Sequence, residues 1–112
     1  MNQRDELLIK YTRDLKEKFN VTPDAGLLKK IAIGLGPSIY NRDSGTVSSS
    51  DEKELERLKS NYLIKKLGLD PNSDLDSPLN DILNTYGKTH RLKYRVVVYY
   101  LLVKHFNKED CY

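Results

Sequence analysis

The chain has one cysteine, Cys111, so no internal disulfide can hold the fold together. A lone thiol fits a reducing compartment, and a cytoplasmic location is the expectation. Long apolar runs are missing as well. The longest uncharged stretch, residues 96–103, falls far short of the roughly 20 residues that a membrane span needs, so no membrane contact is expected. The opening MNQRDELLIK puts charges where a secretion signal needs an apolar centre. Histidine is scarce too. His90 and His105 would stand about four turns apart on one helix, too far to share a metal ion or a proton. No internal repeat and no low-complexity tail is found. These absences leave no constellation for catalysis, so the expectation is a non-enzyme with no catalytic residue, no metal and no cofactor.

What is present suits one domain, residues 1–112. A chain of this length buries roughly two-thirds of its unfolded surface without disulfides or metals. The net charge of +3 is unevenly placed. Lys88, Arg91, Lys93 and Arg95 fall within residues 86–95 with no acid, whereas the rest of the chain is close to neutral. Residues 70–81 reverse the sign with Asp70, Asp74, Asp76 and Asp81. The protein is therefore locally basic, which weakens any inference from overall charge.

Helical periodicity dominates the first two-thirds of the chain. Leu8, Tyr11, Leu15 and Phe19 form a stripe over residues 4–19, with Leu7 beside it and Glu6–Lys10 and Asp14–Lys18 as favourable pairs on the wet face. A second helix starts with Thr22 as N-cap and Pro23 at the first position, buries Leu27, Leu28 and Ile31, and stops at Gly34. Residues 34–50 are rich in Gly, Pro, Ser and Asn and read as an irregular segment. Ser49 and Glu52 spell a capping box for a third helix over 51–67, with Leu55, Leu58 and Tyr62 inward and Gly68 closing it. A fourth begins at Ser77-Pro78, presents Leu79, Ile82, Leu83 and Tyr86, and stops at Gly87.

Residues 86–106, YGKTHRLKYRVVVYYLLVKHF, join a cationic head to the most apolar segment of the chain. The Val and Tyr content has strand propensity, but no other segment offers a partner, and an unpaired buried strand would orphan its backbone groups. Read as a helix, Leu92, Val96, Tyr99, Val103 and Phe106 make one stripe, and Tyr94, Val98, Leu101 and His105 make a second. Two apolar faces predict a helix buried on both sides. The expected fold is all-α, a single small domain of about five helices packed around this central C-terminal helix.

Three stretches carry a family resemblance: IGLGPSIYN at 33–41, NYLIKKLGL at 61–69 and KYRVVVYYLLVKHF at 93–106. With these in order, the chain resembles the uncharacterised bacterial family catalogued as domain of unknown function 2853. The resemblance implies a small cytoplasmic helical protein. It carries over no catalytic or binding residue.

Two site candidates follow from the residues. Thr89 as N-cap would put His90 and Arg91 at the start of the last helix, beside Lys88 and Lys93. Cations there oppose the helix dipole, so Lys88, His90, Arg91 and Lys93 form a candidate anion site for phosphate or nucleic acid. The plainer reading pairs them with the acidic stretch at 70–81. The second candidate is the loop Gly36, Pro37, Ser38, Tyr40 and Asn41. It follows a helix and not a strand, which rejects a phosphate loop; the plainer reading is a tight turn that drives Ile39 and Tyr40 into the core. Residues 70–81 place oxygens at calcium-loop positions, but Leu75 stands where glycine is needed and Asp81 replaces the bidentate Glu, so capping and turn chemistry explain them. Cys111 reads as part of a frayed tail. The leading expectation is a small binding or protein-interaction module, and an exposed apolar stripe on the first helix would indicate a protein partner or homodimer.

Overall fold

The computed structural model of the chain describes residues 2–87, 90 and 92–112. Helix α1 (Gln3–Phe19) is capped by Asn2, whose side chain accepts from the Asp5 amide at 2.8 Å. Acids in its first turn and lysines in its last suit the dipole. It ends on Asn20 in the left-handed region. The predicted stripe is the buried one: Tyr11 and Leu15 lie in the core, and Leu7, Leu8 and Phe19 pack against it. The apolar stripe is thus covered. Asp14 departs from expectation. It is not on the wet face pairing with Lys18 but buried, where it accepts from Tyr86 Oη at 2.6 Å.

Helix α2 (Ala25–Leu35) starts two residues later than predicted. Asp24, not Thr22, is the N-cap; its carboxylate accepts from the Gly26 and Leu27 amides at 3.0 and 3.2 Å. The Asp24 amide donates to Tyr100 Oη at 2.8 Å, which ties this end to the last helix. Leu27, Leu28, Ile31 and Ala32 are buried. Gly34 does not stop the helix. The chain turns at Gly36, whose φ of +65° is open to glycine without strain.

Residues 34–50 are more ordered than their composition predicts. A 3₁₀ turn (Gly36–Tyr40) leads into a single turn, α3 (Arg42–Gly45), capped by the Asn41 side chain on the Asp43 amide at 2.8 Å. Gly45 is required by a close approach: a Cβ there would stand 2.9 Å from the Ile39 carbonyl oxygen. Ile39 enters the core, as expected of the turn, but Tyr40 does not and remains 47% exposed.

Helix α4 (Glu52–Leu58) is capped by Asp51 and not by the Ser49–Glu52 box. At Lys59 the helix widens into a π-helical segment (Lys59–Lys66), closed by the Leu67 amide on the Tyr62 carbonyl at 2.9 Å. Helix α5 (Asp76–Tyr86) keeps its predicted inner face and its stop at Gly87. Turn chemistry accounts for the acids before it. Asp70 accepts from the Asn72 amide at 2.9 Å and Asp74 from the Ser77 amide at 3.0 Å.

Helix α6 (Arg95–Phe106) is the centre of the core. Val96, Val97, Val98, Leu102 and Val103 are wholly inaccessible, so the helix is apolar on nearly every side of its first turns. It begins at Arg95 and not at His90. The reason is non-local: the Val47 amide donates to the Lys93 carbonyl at 2.8 Å, and Thr46 pairs with Tyr94 in an isolated antiparallel bridge. That pairing holds Tyr94 extended and denies residues 92–94 the helix. Leu92, predicted to lead the inner stripe, is outside the helix and 37% exposed. At the far end His105 is exposed. The tail is not frayed: a 3₁₀ turn (Glu109–Cys111) brings Tyr112 Oη within 2.8 Å of Tyr62 Oη. Among the described residues the protein is all-α, with six α-helices, one of them the single turn α3, and no strand.

Candidate functional site

Of the two candidate sites, the basic one is described only in part. Lys88 and Arg91 lie outside the described residues. His90 stacks on the Tyr86 ring at 5.5 Å between centroids. Lys93 is only 3% exposed, and its ammonium donates to the His90 carbonyl at 2.5 Å. Burial pushes its pKa below the ordinary lysine value. Neither His90 nor Lys93 occupies a helix N-terminus, since α6 starts beyond both. Among the described residues no ion pair joins the acidic stretch to His90 or Lys93. Asp76 instead pairs with Lys59 at 2.6 Å, which with Glu56 at 2.7 Å raises the Lys59 pKa. In the loop candidate, Gly36 and Pro37 make the turn, Ser38 Oγ donates to the Leu35 carbonyl at 2.8 Å, and Asn41 caps α3. Tyr40 is 47% exposed, beside a shallow cleft shared with Gln3, Glu6, Leu7 and Lys10.

A different cleft is better built. It lies between α3, α4 with its π-helical continuation, and α6. Asp43, Glu54, Arg57, Leu58, Asn61, Arg95 and Tyr99 line about 310 Å³. Its floor is rigid. Tyr99 stacks face to face on Tyr62, centroids 3.5 Å apart, and Leu58 is buried beside them.

One wall is an ion pair that joins three elements. Arg95 Nη2 binds Glu54 Oε1 in a short contact, with each side chain 15% exposed. The same guanidinium donates to the Ser44 carbonyl at 2.9 Å and the Thr46 carbonyl at 3.0 Å. Glu54 Oε2 accepts from the Ser48 amide at 3.3 Å. Arg95 and Glu54 are thus neutralised by each other and tied to the loop, and Arg95 Nη1 reaches Tyr99 Oη at 3.4 Å. Arg57, Asn61 and Asp43 are not so held: among the described residues their side chains make no ion pair or side-chain hydrogen bond. Arg57 and Asn61 stand four residues apart across the α-to-π transition.

No sequence motif marks this cluster. Its one visible trace was Arg95, the single charge in residues 94–103. Among the described residues no group of His, Cys, Asp or Glu is placed to hold a metal ion, and no helix is long and apolar enough to cross a membrane.

A second polar network joins α1 and α5 to the start of α6. Tyr86 Oη donates to Asp14 and accepts from the Tyr94 amide at 3.2 Å, which fixes the approach to α6. Tyr86→Phe is expected to cost about 1–3 kcal/mol, because it leaves a buried carboxylate and a buried amide without a partner. The midpoint of urea unfolding measures it, and an unchanged midpoint would show that water replaces the phenol.

The architecture and cleft define a small all-α protein with a mixed-charge surface pocket. A family model for the protein of unknown function DUF2853 matches residues 10–110, and the chain belongs to that family. No curated protein matches it.

Proposed function

We propose that this chain is a small cytoplasmic, non-catalytic binding module whose recognition site is the cleft between α4 and α6. The observation that carries the reading is the π-helical segment at Lys59–Lys66. Such segments are rare, forfeit regular hydrogen bonding and recur at functional sites. Here the widening begins directly after Leu58, so Asn61 joins Arg57 at the mouth of the cleft. The stacked Tyr62–Tyr99 pair gives the site a floor that does not need to reorganise on binding.

Amide shift mapping of isotope-labelled protein tests this, with a panel of small carboxylates, amines, amino acids and inorganic phosphate, and with heparin. Shifts gathered on Asp43, Arg57, Asn61 and Tyr99 are the expected result. No response at these positions overturns the reading. A salt-sensitive heparin response confined to His90 and Lys93 would assign binding to the basic segment instead.

A further inference from the structure

We infer that the ligand of this cleft is a small zwitterion, with one carboxylate and one ammonium group, as in a free α-amino acid. The inference rests on the cleft being the binding site, and it comes from sorting the cleft's charges into those already satisfied and those still available. Arg95 and Glu54 neutralise each other and are held further by the Ser44 and Thr46 carbonyls, the Tyr99 hydroxyl and the Ser48 amide. What faces the cavity unpaired is one cation, Arg57, one anion, Asp43, and one amide, Asn61.

That set discriminates between ligand classes. A phosphate or simple carboxylate would suit the planar fork of Arg57 but would meet the uncompensated Asp43 carboxylate across the cleft. A simple amine would suit Asp43 and be repelled by Arg57. A molecule carrying both charges satisfies both walls, with Asn61 able to donate to the carboxylate or accept from the ammonium. The size agrees: about 310 Å³ sits at the small end of ligand pockets, which run from roughly 300 to 1,000 Å³. Leu58 and the edge of Tyr99 supply apolar contact for an aliphatic side chain.

Calorimetric and shift titrations with L-leucine, acetate, methylammonium and inorganic phosphate test the inference. L-leucine is expected to bind at least about tenfold more tightly than any of the three singly charged or purely anionic probes. Arg57→Gln and Asp43→Asn are each expected to weaken L-leucine about tenfold or more, the scale of one charge-assisted contact. Both side chains are exposed, so neither change should move the melting midpoint. Acetate or phosphate binding as tightly as L-leucine, or an Asp43→Asn affinity equal to wild type, overturns the zwitterion while leaving the cleft as a binding site. Silence of the cleft amides towards every probe overturns both.

Discussion

Replacing Glu54 with alanine is expected to lower the free energy of unfolding by about 3–5 kcal/mol, read from the midpoint of urea denaturation. The cost is the charge left behind. Arg95 is largely buried at the first position of α6, where a cation already opposes the helix dipole, and Glu54 is its only ion-pair partner among the described residues. Without that carboxylate the guanidinium must either stay charged in a poorly solvated site or swing out. Swinging out breaks its bonds to the Ser44 and Thr46 carbonyls and frees the segment that pairs with Lys93 and Tyr94. The residual exposure of the pair places the loss towards the low end of the range. The double change Glu54→Leu with Arg95→Met is expected to recover most of it, because two apolar side chains leave no charge to solvate. A single-mutant loss below about 1 kcal/mol would put the pair in the class of surface salt bridges.

Local periodicity made much of the fold legible. The inner stripe of α1, the inner face and stop of α5 and the burial of the first turns of α6 on more than one face follow from the spacing of Leu, Val and Tyr, a signal contained within each segment. The features that were missed depend on partners far away in the chain. The start of α6 is set by backbone pairing with Thr46 and Val47, which no window around residue 90 contains. Asp14 reads as one half of a surface pair with Lys18, and its true partner, Tyr86, lies 72 residues on. The tail looks frayed until Tyr62, 50 residues earlier, is seen to receive it. Both caps lie two residues beyond the expected ones, because Asp24 and Asp51 compete with neighbouring Thr22 and Ser49 for the same role. The cleft was the least legible feature. Arg57, Asn61 and Asp43 belong to no motif, and the π-helical widening has no known residue signature in Lys59–Lys66. A lone arginine inside an apolar run was the single clue that something had to meet it.

The chain is also expected to unfold cooperatively in alkali, within about 1–4 pH units above the ordinary tyrosine pKa, given a typical stability of roughly 5–15 kcal/mol. Burial raises the pKa of Tyr11, Tyr62 and Tyr86 well above the ordinary value of 10.0. The hydrogen bond with Tyr112 adds to the effect on Tyr62, and the Asp14 carboxylate adds to that on Tyr86. Tyr11 Oη is buried with no hydrogen-bond partner among the described residues, so nothing there would stabilise a phenolate. Below pH 10 these phenols are protonated in both states and contribute no pH dependence. Above it the unfolded chain releases protons that the folded chain keeps, so stability falls as pH rises, by about 1.4 kcal/mol per unit for each tyrosine and about 4 for the three. Lys93 acts in the opposite sense: its pKa is lowered on folding, so its contribution grows as pH rises towards the unfolded lysine value and ceases above it. One lysine does not offset three phenols. Circular dichroism and tyrosinate absorbance followed together against pH should therefore change in one shared, steep transition, and Tyr62→Phe should reduce its slope by about 1.4 kcal/mol per unit. Tyrosines that ionise gradually near pH 10 while the helix signal persists would show that these three phenols are hydrated in the folded protein.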